Sequence, residues 1–301
     1  MGKRCWVLFS MAGVLVLAGV WWQTKRSPLQ YLTHERYSID FQPAISPDGK
    51  RVAFVRFYSL ALLSLPSSSA EVLDIPGLIF ISHPAWSPDG KRLAFSAFHR
   101  HRNAPYESHI VVLELSTGQW ECLTVGSENF VRPSWSPDGE KLLFTCVSPR
   151  ETLMVWDSRS RKSRRLGQRG GRAGSWSPDG RHIVFVSGGD LWLTDPEGKQ
   201  AQPILTTPAF YEDEPCWTPN GQFIVFTRQR LLHPDRRDLW ALRLSDKRVF
   251  PLTKCPRGYW ASSPCVQPDG KAILFTLGRD DHSLLCRLWV DWGRPRPVTP
   301  R

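Results

Sequence analysis

Six copies of one short phrase constrain the fold of this chain more than any other feature. The second copy reads Pro-Ala-Trp-Ser-Pro-Asp-Gly from Pro84 to Gly90. Self-similarity at a fixed period of this length is the signature of a repeat architecture. We therefore expect six structural repeats. Successive copies lie 41 or 49 residues apart, and their final glycines are predicted to be structural turn residues: Gly49, Gly90, Gly139, Gly180, Gly221 and Gly270.

Each phrase has the chemistry of a tight hairpin turn. Proline sets the first central backbone angle, Asp or Asn can hydrogen bond to the nearby backbone, and glycine accepts a left-handed conformation without steric cost. An alternating strand follows each turn, as in Arg92-Leu-Ala-Phe95. A third strand comes next, such as His109 to Leu113, and a fourth often ends in Leu-Thr, as at Leu123-Thr124. Each repeat is therefore expected to form four strands.

Four strands in a repeat of this length match one blade of a β-propeller. A single blade cannot bury both of its faces, whereas blades stacked around an axis can. The predicted fold is therefore all-β, a six-bladed β-propeller of four-stranded antiparallel blades, preceded by one N-terminal transmembrane or signal-anchor helix. The tryptophans of the phrase are expected to pack between adjacent blades and to bind no ligand: Trp86, Trp135, Trp176 and Trp217.

The repeats resemble those of the TolB-like β-propeller family, which also occur in the non-catalytic propellers of prolyl-oligopeptidase-type peptidases. The resemblance covers residues from about 30 to 301 and rests on phrases of the form P-x-W-S-P-D-G-K. It departs at Gly174, which stands where other copies have proline, and at Ile45 and Val266, which stand where others have tryptophan. The resemblance implies the fold and not an activity. Since the separate N-terminal α/β domain of TolB itself is not recognisable here, a role in the Tol system is not expected.

An apolar run from Cys5 to Trp22 precedes the repeats. As a helix it would reach about 27 Å, close to the hydrocarbon thickness of a bilayer. Because the run ends in Trp21-Trp22 with no A-x-A-like cleavage site, we favour an uncleaved membrane anchor over a cleaved signal peptide. We therefore assign residues 1–28 to the anchor or signal segment and 29–301 to the propeller. Both alternatives place the propeller outside the cytoplasm, in the periplasm or at the cell surface.

The chain is basic, with a formal net charge of +11 and a sequence pI near 9.6. A positive surface attracts anionic partners, although an evenly solvated basic surface is an equally good interpretation. The six cysteines after Cys5 have no zinc-ligand spacing, and we expect mostly free, buried thiols, with Cys255 and Cys265 the best-placed local pair. No metal and no cofactor are predicted.

Two long basic loops, one in the second repeat and one in the fifth, are the best candidates for a binding site. Both lie between the second and third strands of their repeats, on the face opposite the Pro-Asp-Gly turns, where loop length varies. In a six-fold ring they would flank the channel from opposite sides, so we interpret them as a clamp for an acidic partner; two solvated surface loops are the alternative. Glu128 and Glu212–Glu214 are possible rim residues of the same face. The predicted binding residues are His99, Arg100, His101, Arg102, Arg228, Arg230, Arg236, Arg237, Tyr259 and Trp260.

Catalysis is not expected. A serine hydrolase needs a G-x-S-x-G elbow, and the closest segment, Gly174 to Pro178, lacks the second glycine and belongs to a repeat turn. His99 and His101 have no third ligand placed by spacing, so they indicate a metal only weakly. We therefore predict a monomeric, non-catalytic scaffold for an envelope protein or peptide, acidic ones included, with membrane contact through residues 5–22 and no nucleic acid. The alternative is a lyase or hydrolase that acts on an acidic carbohydrate through His and Arg residues near the channel.

Overall fold

A computed structural model of the chain describes residues 27–34, 38–66, 69–99, 107–280 and 282–300. Within these ranges the chain forms β-strands joined by short turns, and no helix there could cross a membrane. The predicted anchor, residues 5–22, lies outside the described ranges. The first strand is β1 (Leu29–Tyr31).

Four antiparallel blades of four strands each follow β1 in chain order. Blade one consists of β2 (Asp40–Ile45), β3 (Arg51–Arg56), β4 (Ser59–Ser64) and β5 (Ser69–Val72). Blade two consists of β6 (Leu78–Trp86), β7 (Arg92–His99), β8 (Ser108–Glu114) and β9 (Trp120–Cys122). Blade three consists of β10 (Phe130–Trp135), β11 (Lys141–Cys146), β12 (Thr152–Asp157) and β13 (Lys162–Arg165). Blade four consists of β14 (Arg172–Trp176), β15 (Ile183–Ser187), β16 (Asp190–Thr194) and β17 (Gln202–Leu205).

The remaining strands form one eight-stranded sheet. Its first half contains β18 (Phe210–Trp217), β19 (Phe223–Arg230), β20 (His233–Arg243) and β21 (Val249–Pro251). Its second half contains β22 (Tyr259–Val266), β23 (Ala272–Arg279) and β24 (His282–Trp289), to which β1 adds along the edge of β24. Arg237 of β20 pairs in parallel with Trp260 of β22 and joins the two halves.

This junction corrects the predicted blade count. Six separate four-stranded blades were expected, but in the part of the chain that the structure describes only four sheets stand as separate blades, and the fifth sheet has eight strands. The prediction was wrong because the repeat phrase marks one turn per repeat and carries no information about pairing between neighbouring repeats. The helix predicted ahead of the repeats falls on residues 5–22, outside the described ranges, and the described residues themselves form no helix.

The apolar positions of the repeat build the core between sheets. The second strand of every repeat buries a phenylalanine: Phe54, Phe95, Phe144, Phe185, Phe226 and Phe275. Trp86 of blade two packs with Ala53 and Leu60 of blade one, and its indole nitrogen donates to the Ala44 carbonyl at 2.9 Å. Trp217 donates in the same way to Ser175 of the preceding blade, at 3.2 Å. The predicted packing of these tryptophans between adjacent sheets is confirmed.

The predicted turns are also present. Gly90 has a φ of 68°, and its backbone nitrogen donates to the Ser87 carbonyl at 2.9 Å. One carboxylate oxygen of Asp89 accepts from the Ser87 hydroxyl at 2.5 Å and from the Lys91 backbone at 3.1 Å. These bonds favour the ionised carboxylate, chiefly the one from Ser87, and so lower the pKa of Asp89. Because Gly90 lies beside Pro47 of the preceding turn, where an added Cβ would come within 3.6 Å of the proline ring, the turns line up on one side of the molecule, here called the turn face.

Residues near both ends of the described chain pair with the eight-stranded sheet. Leu29 of β1 pairs with Leu288 of β24, and Val298 forms an isolated bridge with Thr253. The N-terminal strand therefore supplies the outer strand of the C-terminal repeat. The chain enters β1 at the turn face, because the Trp289 nitrogen donates to the Pro28 carbonyl where β24 ends. The opposite side, which carries the connections between second and third strands, is here called the loop face.

Candidate functional site

A ring of unusual backbone conformations surrounds the central channel. In the innermost strand of every repeat, the residue before the phrase has a positive φ, between 51° and 59°. The ladder register shifts at the same place, for example between Val131 and Ser134, so each position is a β-bulge. Because the bulge recurs in every repeat, it is a property of the fold rather than local strain at one site. The bulges turn the channel ring toward a narrow space of about 180 Å³; the ring comprises Gln42, His83, Arg132, Ala173, Glu214 and Ser263.

Gln42 and His83 form a closely bonded pair in this ring. The side-chain oxygen of Gln42 accepts from the His83 backbone nitrogen at 2.7 Å, so its amide nitrogen faces the imidazole and donates to Nε2 at 2.9 Å. The ring proton then lies on Nδ1, which is 3.1 Å from the Ser82 hydroxyl. Loss of hydration lowers the pKa of His83 to about 3, and the guanidinium of Arg132 acts in the same direction. His83 is thus a neutral hydrogen-bonding group.

Charged side chains occupy the other side of the ring. Arg132 approaches Asp213 at 3.4 Å and Glu214 at 3.8 Å. Glu214 also accepts from the backbone nitrogen of Ser263 at 2.7 Å and from its hydroxyl at 3.2 Å. Arg172 lies 3.4 Å from Asp213 and donates to Tyr211. Two residues of the acidic segment predicted at the rim, Asp213 and Glu214, therefore meet arginines from neighbouring blades, which balance their charge. The third, Glu212, is buried and pairs with Arg228.

A cavity of about 400 Å³ opens from the ring toward the loop face. Arg237 and Trp260, both predicted binding residues, line it together with Phe41 and Asp280. The indole of Trp260 lies over Gly278, where an added Cβ would come within 2.0 Å of the ring. Glycine at this position therefore leaves the space that Trp260 occupies.

A larger cavity of about 830 Å³ lies beside the first half of the eight-stranded sheet, also on the loop face. It brings together three of the predicted arginines, Arg228, Arg230 and Arg236. The guanidinium carbon of Arg228 lies 3.9 Å from the centroid of the Phe210 ring and 5.0 Å from that of Trp240. Cation–π contacts of this kind strengthen when water is excluded. The cavity therefore combines positive charge with aromatic surface.

The remaining predicted residues have other surroundings. His99 packs within blade two, with ring centroids 5.5 Å from Trp120 and 5.3 Å from His109. Tyr259 accepts a hydrogen bond from Arg279 at 3.1 Å, at the edge of the sheet. Arg100, His101 and Arg102 lie outside the described residues, so the blade-two side of the predicted clamp stays a prediction.

Two features of the loop face carried no signal that we recognised in the sequence. One is the channel ring, whose members share a position before the phrase but no chemistry. The other is a row of aromatic side chains in edge contact, with ring centroids 5.6 to 6.1 Å apart. Tyr58 and Phe80 of this row are exposed, and both have positive φ. The row consists of Phe41, Tyr58, Phe80 and Phe98.

The described ranges contain neither a disulfide nor a group of side chains placed to hold a metal ion. The six cysteines there are free, including Cys255 and Cys265, so the predicted free thiols are confirmed and that pair is not bonded, although only Cys255 and Cys286 are buried. Burial raises the pKa of the Cys265 thiol to about 12. Within the same ranges no group of three His, Cys, Asp or Glu side chains is placed to hold a metal ion.

Comparison with known proteins gives one family match and several similar folds. The model of the PD40 TolB beta propeller domain matches residues 28–253. A protein described as a TolB from Agrobacterium tumefaciens is 22% identical, with a TM-score of 0.66 over 84% of this chain and 91% of that one. TolB from Acinetobacter baumannii is 20% identical, with a TM-score of 0.61 over 84% of this chain and 64% of that one, so this chain spans under two thirds of it. An oligogalacturonate lyase from Vibrio parahaemolyticus is 16% identical, with a TM-score of 0.57 over 88% of this chain and 94% of that one.

Proposed function

The chain belongs to the TolB β-propeller domain family, and from this premise we propose that it is a non-catalytic scaffold that binds a protein or peptide of the cell envelope on its loop face. We further propose that the propeller lies outside the cytoplasm and is tethered to a membrane through residues 5–22. The apolar run in the sequence supports the tether, and the family supports the extracytoplasmic location.

One observation carries this proposal: two cavities of the loop face, those of about 400 and 830 Å³, each present an arginine whose charge no carboxylate among the described residues balances. Within the described ranges, neither Arg230 nor Arg237 forms an ion pair, whereas Arg228 and Arg236 do. Such a surface attracts a partner that carries negative charge.

The aromatic row adds a second kind of contact to the same face. Exposed aromatic side chains on a rigid scaffold are typical of protein interfaces, where they bury large apolar area at little cost in conformational entropy. Phe80 and Tyr58 are each more than half exposed, at 54% and 55%. A partner that spans the channel mouth would therefore meet cationic and apolar surface together, which favours a polypeptide over a small polar ligand.

The test is capture of a partner by the full chain, purified in detergent, from an envelope extract at low and moderate salt. We expect one specific protein to be retained by the parent. The Arg230→Gln/Arg237→Gln variant should lose most of it, because the two unbalanced charges are gone. The matched control is Arg181→Gln/Lys199→Gln, which removes two exposed charges from the turn face and should capture as much as the parent.

Two outcomes would contradict the proposal. Equal loss of capture in both double variants would show that net charge, and not the loop face, retains the partner. Cleavage of an acidic oligosaccharide by the parent, with no protein captured, would favour a carbohydrate-active enzyme.

A further inference from the structure

The floor of the large loop-face cavity includes Arg228, which forms a buried, desolvated ion pair with Glu212. The side chain of Arg228 is 8% exposed and that of Glu212 is fully buried, with Nε of Arg228 3.1 Å from one carboxylate oxygen. The geometry does not make a hydrogen bond, so this N–H has no acceptor among the described residues, and the other carboxylate oxygen has no donor there. Burial accordingly lowers the pKa of Arg228 and raises that of Glu212. The cavity is therefore polar and poorly hydrated at Arg228.

The charges of two other arginines that line the cavity are already balanced by carboxylates. Arg236 donates to Asp238 at 2.8 Å, and Arg257 donates to Asp235 at 2.9 Å. Each of these carboxylates disfavours a second negative charge in its neighbourhood. A polyanionic ligand would therefore meet repulsion from both sides of the cavity.

Arg230 is the one arginine of this cavity, among those described, that has no carboxylate at ion-pair distance. Its guanidinium carbon lies 5.6 Å from the centroid of the Phe210 ring, which also contacts Arg228. The aromatic ring restricts the side chain while leaving its donors available. The cavity thus offers one unbalanced positive charge, which a single negative charge of the ligand would match.

The rim next to Arg230 is apolar. Leu231 is 57% exposed and Leu232 is 88% exposed on the connection between β19 and β20, and Pro234 follows at the start of β20. Exposed leucines are costly to leave in water because their apolar surface is hydrated unfavourably. Two of them beside one free guanidinium form a surface for a ligand that is apolar except at a single anionic end.

We propose that this cavity binds the C-terminal carboxylate of a peptide that ends in apolar residues. The carboxylate pairs with Arg230 near the Phe210 ring, and the last apolar side chains lie against Leu231 and Leu232. The C-terminus of such a peptide carries one negative charge at the end of an apolar segment. This matches the single unbalanced charge of Arg230 and the apolar side chains of Leu231 and Leu232 beside it. This inference rests on the proposed function, since it specifies which part of the partner the loop face recognises.

Calorimetric titration of the full chain in detergent tests the proposal, with the peptide acetyl-Ala-Ala-Leu-Phe as a free acid and as its carboxamide. We expect the free acid to bind at least about tenfold more tightly than the carboxamide. In Arg230→Gln the two forms should bind equally, because the group that distinguishes them is gone. Arg181→Gln, on the turn face, should keep the full difference.

Three results would overturn the proposal: equal binding of acid and carboxamide by the parent, no binding of either, or equally tight binding of a carboxamide peptide with an internal glutamate. Inorganic phosphate that displaces the acid peptide at comparable concentration would also overturn it, because the cavity would then be a general anion site. Capture of an envelope partner is measured separately. If the peptide test fails but the parent protein still captures a partner, only this inference is overturned. If the parent protein captures nothing, the proposed function is overturned as well.

Discussion

At the residue scale, the channel ring shows how one backbone position can carry six different side chains. Its members all precede the repeat phrase and all adopt left-handed φ, which costs a non-glycine residue about 1–2 kcal/mol. The ladder bonds on both sides of each bulge hold this conformation in place. The fold therefore fixes where these side chains point, and the identity of each one decides what the channel can bind.

His83 makes the stability of the channel sensitive to acid. Its folded pKa of about 3 lies below the ordinary value of 6.5, so between these values the unfolded chain binds a proton that the folded chain does not. The contribution of His83 to stability is therefore complete above about pH 6.5 and declines as the pH falls toward 3. We expect His83→Gln to lose less stability than the parent between neutral pH and about pH 4.5, measured by urea unfolding.

The exposed residue His233 provides the control for that measurement. His233→Gln should follow the parent across the same range. A His83→Gln variant that loses as much stability on acidification as the parent would show that the imidazole is not kept neutral by its surroundings.

Gly278 controls the position of Trp260 at the channel mouth. An alanine there would place its Cβ inside the van der Waals radius of the indole, so Gly278→Ala should destabilise the protein by about 1–3 kcal/mol through overpacking. In the Trp260→Ala background the same change should cost much less, because its steric partner is absent. Urea unfolding of the parent, both single variants and the double variant measures this coupling. Additive effects would mean that the indole moves aside freely.

At the element scale, the N-terminal strand closes the eight-stranded sheet. Leu32, just after β1, is 2% exposed and packs against Phe54 of blade one and Leu285 of β24. Its backbone nitrogen donates to the Leu285 carbonyl at 2.7 Å. The N-terminal strand therefore fixes the last repeat to the first blade.

Truncation of the Leu32 side chain should lower the stability of the whole protein. We expect Leu32→Ala to destabilise the protein by about 2–5 kcal/mol, the range for a buried leucine that leaves a cavity. Val125→Ala, at a residue 79% exposed, is the control and should change stability by less than about 0.5 kcal/mol. Chemical unfolding in detergent measures both. A cost for Leu32→Ala no larger than the control would mean that the strand contributes little to closure.

The elements that local chemistry determines were predictable from the sequence. The turn at Gly90 and the position of Trp86 follow from the phrase itself, because the bonds that form them join residues close in sequence or equivalent between repeats. The pairing of Arg237 with Trp260 was not predictable, since it depends on how two neighbouring repeats meet. Arg228 and Arg230 were found as candidates because they are arginines in a long connection. Their contact with Phe210 was missed because that ring comes from another strand.

At the scale of the whole molecule, the two faces differ in kind. The turn face repeats one hydrogen-bonded motif with little variation, as at Asp48, Asp89, Asp138 and Asp179. The loop face carries the cavities beside Arg230 and Arg237, the aromatic row and these unbalanced arginines. Regular turns stabilise the scaffold, and the irregular connections on the other side provide the surface on which one propeller differs from another.

The entry of the chain at the turn face also fixes an orientation. On the proposal that the segment ending at Trp22 is embedded in a bilayer, only six residues separate it from Leu29, a linker that spans at most about 25 Å. So short a linker keeps the turn face toward the lipid, and the loop face, with its arginines and aromatic row, then faces the aqueous compartment. A partner anchored in the same membrane would have to reach around the propeller, whereas one arriving from the opposite side of that compartment would meet the open surface directly.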